Sequence, residues 1–280
     1  MQWGDIIFRK RRAVSPKNFR ESVGNIAFSA MGHIVMVVRF VWQIFIAIWN
    51  MLRGRASLRR VDLKIEIDKA GLRAIPIVCL ISFMIGMIMA FVGNMQLKIF
   101  GAQIYVAALV AISTVRILGA IMTGIIMAGR TGAAYAAEIG SMRVNQEIDA
   151  LRTMGVSPTE FLVLPRVLAL TITMPILTIV SDIVAICGGM FVAMTIMNVS
   201  VAEYWRMTID WISFNNFAVG VLHGWLFGWV IAIAGCICGM RAERTADGIG
   251  RATTRAVVAG IVGCVIMTAI LTIIFNWLDI

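Results

Sequence analysis

Long apolar runs constrain the fold of this chain more than any other feature. Each run holds about 20 residues or more, and a helix of that length crosses a hydrocarbon core of about 30 Å. The composition agrees, because 60% of the 280 residues are hydrophobic and only 14% are charged. The runs are continuously apolar rather than alternating, which favours helices over a β-barrel. The sequence therefore predicts an all-α polytopic membrane protein.

Five spans are predicted. Residues 1–73 are expected to form a basic N-terminus with a membrane-interfacial helix, and residues 74–280 the spanning domain. The spans are expected at about 74–97, 104–127, 167–199, 214–240 and 256–275, with a polar segment at 128–166. The third run is long and contains Pro175, so we expect it to tilt, to kink at the proline or to project beyond the membrane.

The first apolar stretch, residues 24–52, is long enough to span, but two observations favour an amphipathic helix in the cytoplasmic interface. Both flanks are rich in Lys and Arg, which remain on the cytoplasmic side of a membrane. Its weaker residues recur at helical spacing and share one face. They are Asn25, Ser29, His33, Met36, Arg39, Gln43 and Asn50. A sixth spanning helix is the alternative.

The distribution of basic residues predicts the orientation. Of 25 Lys and Arg residues, 21 fall in segments that the five-span arrangement puts on one side, and only Lys98 and Arg206 fall on the other. Because basic residues favour the cytoplasmic side, we expect a cytoplasmic N-terminus and an exterior C-terminus. This topology also explains the net charge of +10 without nucleic-acid binding.

The sequence contains no recognisable catalytic or metal-binding constellation. His33 and His223 stand alone in apolar runs. The cysteines also lie in apolar runs, with no histidine near the closely spaced pair Cys236 and Cys238. A GxxxxGK[ST] phosphate-binding loop is absent from the sequence, so an ATP-driven activity would require ATP bound by another chain.

Two ionisable residues lie within predicted spans. An Arg or Asp in mid-membrane costs about 3 kcal/mol on insertion scales, so it usually faces a partner, a bundle interior or a wet cavity. Arg116 could meet an anionic lipid headgroup, or it could pair internally with Asp182 or with backbone carbonyls. The methionines of the first span, among them Met84, Met87 and Met95, fit either an adaptable lipid-contacting surface or ordinary packing.

Gly220, Gly224 and Gly228 recur at four-residue spacing in the fourth span. Glycines at this spacing share one helix face and let another helix approach closely. The face could serve packing within the chain or form a homodimer seam.

The polar segment between the second and third spans has the composition of a protein-binding surface. It opens with small residues around Arg130 and becomes amphipathic from Glu138. Gly155 can end the helix, and the following Ser157-Pro158 can form a turn.

The segment AGRTGAAYAAEIGSMRVNQEIDALRTMGVSP, the following FLVLPRVLAL and GIGRATTRAVV at 248–258 resemble the MlaE (YrbE) family of ABC-transporter permeases. The resemblance runs from about Ile65 to the end. It implies a homodimeric permease of a bacterial inner-membrane complex, with its C-terminus in the periplasm. The cargo would be phospholipid moved between the inner and outer membranes, which maintains outer-membrane lipid asymmetry.

The resemblance also implies partners and site residues. Two cytoplasmic ABC ATPases, which bind ATP and Mg²⁺, would contact the coupling segment 138–151. A periplasmic MCE-domain protein would bind on the opposite side of the membrane. A STAS-domain protein can join the ATPases. The implied coupling residues are Glu138, Ser141, Met142, Arg143, Asn145, Gln146, Glu147 and Asp149. Arg116, Met84, Met87 and Met95 would contact lipid. This chain would bind no cofactor itself.

The chain departs from the family in its second span. Family members commonly read Arg-Glu-Leu-Gly-Pro, whereas this chain reads Arg116-Ile117-Leu118-Gly119-Ala120. The arginine remains without its acidic neighbour, so a charged pair cannot be carried over. Two other classes compete with an ABC permease: an ATPase-independent secondary transporter and a membrane scaffold. A secondary transporter would need ionisable residues along a path, and only Arg116 and Asp182 lie in mid-membrane.

Overall fold

A computed structural model describes Val35, residues 37–51, Arg53 and residues 60–278. These residues form helices and connecting turns, with no β-strand among them. The chain divides into two compact units, Met1–Gln43 and Ile44–Ile280. Among the described residues, five helices are long and apolar enough to cross a membrane, and a shorter apolar helix precedes them. The predicted all-α polytopic fold is therefore confirmed.

Eleven α-helices are described in this part of the chain. They are α1 (Val37–Met51), α2 (Arg60–Ala70), α3 (Ile75–Leu97), α4 (Val106–Ser113), α5 (Gly119–Met127), α6 (Ala133–Val144), α7 (Glu147–Thr153), α8 (Leu164–Ile196), α9 (Val201–Trp211), α10 (Phe214–Met240) and α11 (Ala246–Trp277). The five membrane-crossing candidates, counted with their helical extensions, are Val61–Phe100, Gln103–Val144, Thr159–Ile196, Phe214–Met240 and Ala246–Trp277.

Three π-helical turns join helices end to end. Thr114–Leu118 connects α4 to α5, Ala128–Gly132 connects α5 to α6, and Thr159–Val163 leads into α8. The polar segment predicted at 128–166 therefore begins as a continuation of the second apolar helix. Such turns hold an extra residue and often occur at functional sites.

The long helix α8 packs against both α3 and α10. Its contact with α3 depends on two glycines. A Cβ atom on Gly86 would overlap the carbonyl of Ala185, and one on Gly188 would overlap the carbonyl of Phe83. Backbones can approach this closely only where side chains are missing. The helix has 33 residues and continues through Pro175. At 1.5 Å per residue it is about 50 Å long, longer than a hydrocarbon core of about 30 Å.

The glycine face of α10 is covered by the chain itself. Gly220 lies against the backbone of Val115, Gly224 lies against Thr178, and Gly228 is enclosed in the same way. Of the two alternatives drawn from the sequence, intrachain packing is correct. The alternative of a homodimer seam on this face is wrong, because the space that a partner helix would need is occupied.

The prediction for residues 24–52 lies partly outside the described residues, because residues 24–34 are not among them. In the second unit, the end of α1 packs on other helices. The rings of Phe45 and Trp229 stack with centroids 5.8 Å apart. The Asn50 amide donates a 3.0 Å hydrogen bond to Glu160. The interfacial position of this stretch remains a prediction.

Candidate functional site

The predicted coupling segment consists of two helices rather than one. α6 ends at Val144, and α7 begins at Glu147. Gln146 between them has φ 61°, in the left-handed region, which breaks the helix. The Asn145 amide donates a 3.2 Å hydrogen bond to the Glu147 carboxylate across the break. α7 ends at Thr153, just before Gly155 with φ 75°, so the helix ends where the sequence predicted. We call residues 133–158 the hairpin.

Four of the predicted coupling residues form an exposed surface at the tip of the hairpin. They are Ser141, Asn145, Gln146 and Glu147, and we call them the tip surface. Met142 is half-buried beside them. The exposed residues of the hairpin that sequence reasoning missed include Arg152 and Met154, the latter with 67% of its surface exposed. An apolar side chain next to a glycine turn was the available signal for Met154.

The other predicted coupling residues hold the hairpin to the rest of the chain. Arg143 donates a hydrogen bond to the carbonyl of Met240, at the end of α10. Asp149 accepts a 2.6 Å hydrogen bond from Arg244, in the connection between α10 and α11. The hairpin is therefore anchored to the end of α10 and to the connection between α10 and α11.

Glu138 is the centre of an ionic network within the chain. Its carboxylate accepts hydrogen bonds from Arg166 at 2.9 Å and from Lys69 at 3.1 Å. Glu66 lies 3.7 Å from Lys69 and 4.0 Å from Arg166. The Arg166 guanidinium also lies over the ring of Tyr135, 5.6 Å from its centroid. The network joins α2, α6 and α8, so Glu138 positions these helices relative to one another.

Arg116 lies in the π-helical turn between α4 and α5, and it donates a 2.7 Å hydrogen bond to the side-chain oxygen of Asn216. Asn216 belongs to the first turn of α10, so the guanidinium reaches toward the end of that helix rather than the middle of the bundle. Long basic side chains commonly extend in this way toward a membrane surface.

Asp182 is buried and does not hydrogen-bond to Arg116. Both of its carboxylate oxygens lack a hydrogen-bond partner among the described residues. The side chain is 4% exposed and packs directly on Gly119, where a Cβ atom would overlap Oδ1. The internal pair considered from the sequence is therefore wrong. Arg116 instead hydrogen-bonds to Asn216, an uncharged residue that a search for opposite charges does not select.

The methionines of α3 have different surroundings. Met84 and Met95 are exposed, on the side that also exposes Leu80, Ile88 and Phe91. Met87 instead packs against the core cluster that contains Ala90 and Val106. The outward stripe is apolar along its length, and such a stripe fits acyl chains or another apolar helix. Met87 does not belong to it.

Known proteins resemble this chain over most of its length. The family described as Permease MlaE matches residues 64–274. A probable ABC transporter permease of Rickettsia typhi is 34% identical over 157 residues, which cover 56% of this chain and 61% of that protein. The intermembrane phospholipid transport system permease protein MlaE of Haemophilus influenzae is 29% identical over 67% of this chain and 73% of its own length.

A plant protein is also similar. The chloroplastic protein TRIGALACTOSYLDIACYLGLYCEROL 1 of Arabidopsis thaliana is 27% identical over 54% of this chain and 43% of its own length. The chain spans 61% of the length of the Rickettsia typhi permease and 55% of the length of a second rickettsial permease. The family match covers the hairpin and the five membrane-crossing candidates, except for the first three residues of the first candidate and the last three of the fifth. The chain is therefore a multi-pass membrane protein that belongs to the MlaE permease family of ABC transporter subunits.

Proposed function

We propose that the protein is the permease subunit of an ATP-driven transporter that moves phospholipid between the inner and outer membranes of a bacterium. The exposed tip surface of the hairpin is the observation that carries this proposal. An ABC permease must receive motion from ATPase subunits on a surface that protrudes from the membrane-crossing helices. The named phospholipid function of the Haemophilus influenzae relative supports the cargo class.

The tip surface is the proposed contact with the cytoplasmic ATPases, which would hold ATP and Mg²⁺. Asn145, Gln146 and Glu147 are exposed at the break between α6 and α7. Met154 adds an apolar side chain that fits a groove on a partner. Arg143 and Asp149 would transmit the motion, since they tie the hairpin to α10 and to the α10–α11 connection.

The proposed orientation puts the hairpin in the cytoplasm and the C-terminus in the periplasm, with the protein in the inner membrane. The excess of basic residues on the hairpin side supports it. The short helix α9 lies at the opposite end and exposes Trp205, Ile209 and Trp211. Aromatic residues of this kind suit a membrane surface. A periplasmic MCE-domain partner would be found at this end, and a STAS-domain protein would join the ATPases.

The proposed lipid contacts combine charge and apolar surface. Arg116 would meet a lipid phosphate near the periplasmic end, where Asn216 holds its guanidinium. Met84 and Met95 would contact acyl chains, or a second copy of the chain in a homodimer, along the exposed stripe of α3. Met87 would contribute less to lipid contact, because it packs inward.

Glu147→Lys tests the proposal, with Glu203→Lys as its control. Each glutamate is exposed and lies in the first turn of a short helix, so both changes disturb a helix N-terminus equally. The complex is purified through a tag on this chain and its lipid transport is measured in proteoliposomes. We expect Glu147→Lys to lose the ATPase subunit and transport, and Glu203→Lys to retain the ATPase subunit. Normal ATPase binding and transport by folded Glu147→Lys would overturn the proposal. Transport without ATP would instead indicate an ATPase-independent transporter.

A further inference from the structure

A cavity lies where α2 meets the second membrane-crossing candidate, Gln103–Val144. Its volume is about 320 Å³. Its lining comes from the end of α2 and the turn after it, and from the π-helical turn and the first part of α6. The lining residues are Lys69, Arg73, Arg130, Thr131, Ala134, Tyr135 and Glu138.

The cavity lining carries more positive than negative charge. It holds three basic side chains and one carboxylate, Glu138. That carboxylate already accepts hydrogen bonds from Lys69 and from Arg166, which lies outside the cavity. Arg73 is paired at 2.9 Å with Asp68, but 68% of the Arg73 side chain is exposed. An anion entering the cavity would therefore meet basic groups that the neighbouring acids neutralise incompletely.

Arg130 is the basic group best placed to bind a ligand. One nitrogen of its guanidinium donates a 3.1 Å hydrogen bond to the carbonyl of Lys69. A guanidinium carries five N–H donors, and none of the ion pairs among residues 60–278 includes Arg130. The neighbouring Gly129 faces open space, since a Cβ atom there would meet nothing within 4 Å. The carbonyl contact fixes the side chain and leaves donors for an anion.

Exposed apolar residues, which we call the rim, lie within about one helical turn of Lys69 and Arg73 along the chain. Leu72, next to Arg73, is 65% exposed, and Ile65 and Ile77 are exposed as well. A soluble phosphate would gain nothing from this rim, whereas the acyl chains of a lipid would bury it. The arrangement therefore favours an amphiphilic anion over a free one.

The position in the chain matches the headgroup region of a membrane. Arg73 directly precedes α3, which begins at Ile75, and Arg130 follows α5, which ends at Met127. Basic residues at the ends of apolar helices lie at headgroup depth and attract anionic lipids on the cytoplasmic leaflet. The position of the cavity in the cytoplasmic leaflet rests on the proposed orientation of the protein.

We propose that this cavity binds the phosphate-bearing headgroup of an anionic phospholipid from the cytoplasmic leaflet, at a site separate from the cargo contacts at Arg116. Arg130 would donate to the phosphate through its remaining N–H groups, since a guanidinium matches phosphate geometry. Lys69 and Arg73 would add charge from α2, and the acyl chains would lie along Leu72 and Ile77. The bound lipid would hold α2 against the helix that leads to the hairpin.

Native mass spectrometry of the detergent-purified full-length protein tests this site without requiring transport or an ATPase. The lipid probes are phosphatidylglycerol and phosphatidylcholine, with inorganic phosphate as a competitor. Arg130→Gln removes the charge but keeps an amide that can donate to the Lys69 carbonyl. Arg73→Gln changes an exposed residue with a surface ion pair, so it should fold even if Arg130→Gln does not. Arg255→Gln, which removes an exposed basic residue from α11, is the control.

We expect the wild type and Arg255→Gln to bind phosphatidylglycerol more tightly than phosphatidylcholine. Each cavity variant should weaken phosphatidylglycerol binding about fivefold, which corresponds to about 1 kcal/mol per basic residue near an anionic surface. Unchanged phosphatidylglycerol binding in either folded cavity variant would overturn the proposal. Competition by inorganic phosphate as effective as that of the lipid would overturn the lipid assignment and identify a site for a free anion. If Glu147→Lys keeps ATPase binding and transport while the cavity variants lose lipid binding as expected, the lipid site stands and the proposed transport function does not.

Discussion

Arg166 of α8 donates a hydrogen bond of 2.9 Å to Glu138 of α6, and only 6% of the Arg166 side chain is exposed. Lys69 of α2 donates to the same carboxylate at 3.1 Å. Three helices that are far apart in the sequence therefore meet at one acidic residue. The hairpin begins at this junction, so its orientation depends on ion pairs inside the chain as well as on its exposed surface.

Arg166→Met should destabilise the protein. The substitution keeps much of the side-chain volume but removes the buried one of the two cations that Glu66 and Glu138 share, and Lys69 remains as the other. Removing one partner of a buried ion pair costs about 3–5 kcal/mol, and the half-exposed position of Glu138 puts the expected loss at the lower end. The loss of stability is measured by heating the purified protein and determining its monodisperse fraction by gel filtration. Arg255→Met, an exposed change on α11, should behave as the wild type. Equal thermal stability of Arg166→Met and the wild type would contradict this account.

Gly86→Ala should loosen the contact between α3 and α8. The new methyl group would overlap the carbonyl of Ala185, and forced overpacking of this kind costs about 1–3 kcal/mol. Gly250→Ala is the matched control, because a Cβ atom there meets nothing within 4 Å. Within a helix that control should gain up to about 1 kcal/mol. The same heating assay should order the three proteins, with Gly86→Ala lowest and Gly250→Ala highest; any other order counts against the packing argument.

Asp182→Asn should leave the protein at least as stable as the wild type. The carboxylate is buried and lacks a hydrogen-bond partner among the described residues, so its ionised form is costly at that position. An amide has the same shape and no charge to desolvate. Thermal stability measured in the same detergent checks this expectation. A fall of more than about 1 kcal/mol would mean that a partner for the carboxylate exists in the assembled protein.

Asp149 and Arg244 should tolerate an exchange of charge. Their side chains are 42% and 57% exposed and lie 2.6 Å apart. An exposed pair contributes about 1 kcal/mol or less to stability, so Asp149→Arg alone should fold but misplace α7. Combining it with Arg244→Asp should restore the ion pair and any activity lost in the single variant. Lipid transport of both variants in proteoliposomes is the measurement. Persistent loss in the double variant would mean that Asp149 contacts the ATPase itself or is needed for its second ion pair, with Arg152 at 3.5 Å.

The number and type of membrane helices could be predicted because the bilayer allows few solutions. A spanning segment must satisfy its backbone hydrogen bonds internally, so long apolar runs become helices. Local signals also identified the end of α7, where Gly155 adopts a positive φ. These predictions depend on residues close together in the sequence.

Contacts across the sequence were not predictable in the same way. Arg116 and Asn216 are 100 residues apart, and a search for opposite charges selects Asp182 instead of an uncharged amide. The break at Gln146 was missed because glutamine is not a typical residue for a left-handed conformation, and tertiary contacts on both sides of it hold the turn. The ionic network combines residues from three helices, and composition alone cannot say which of many basic side chains reaches Glu138.

The three π-helical turns are places where the chain can lose one residue without breaking a helix. Each turn accommodates one residue more than an α-helical path would need. Deleting a single residue at Thr114–Leu118 or Ala128–Gly132 would therefore leave a continuous α-helix and keep the residues beyond the deletion on their original faces, whereas the same deletion in a regular α-helix would rotate them by about 100°. Arg116 and Arg130 lie inside these two turns, so such a deletion would redirect a basic side chain without unfolding the helix. One-residue gaps between relatives should accordingly be found at these turns more often than elsewhere in the membrane-crossing helices.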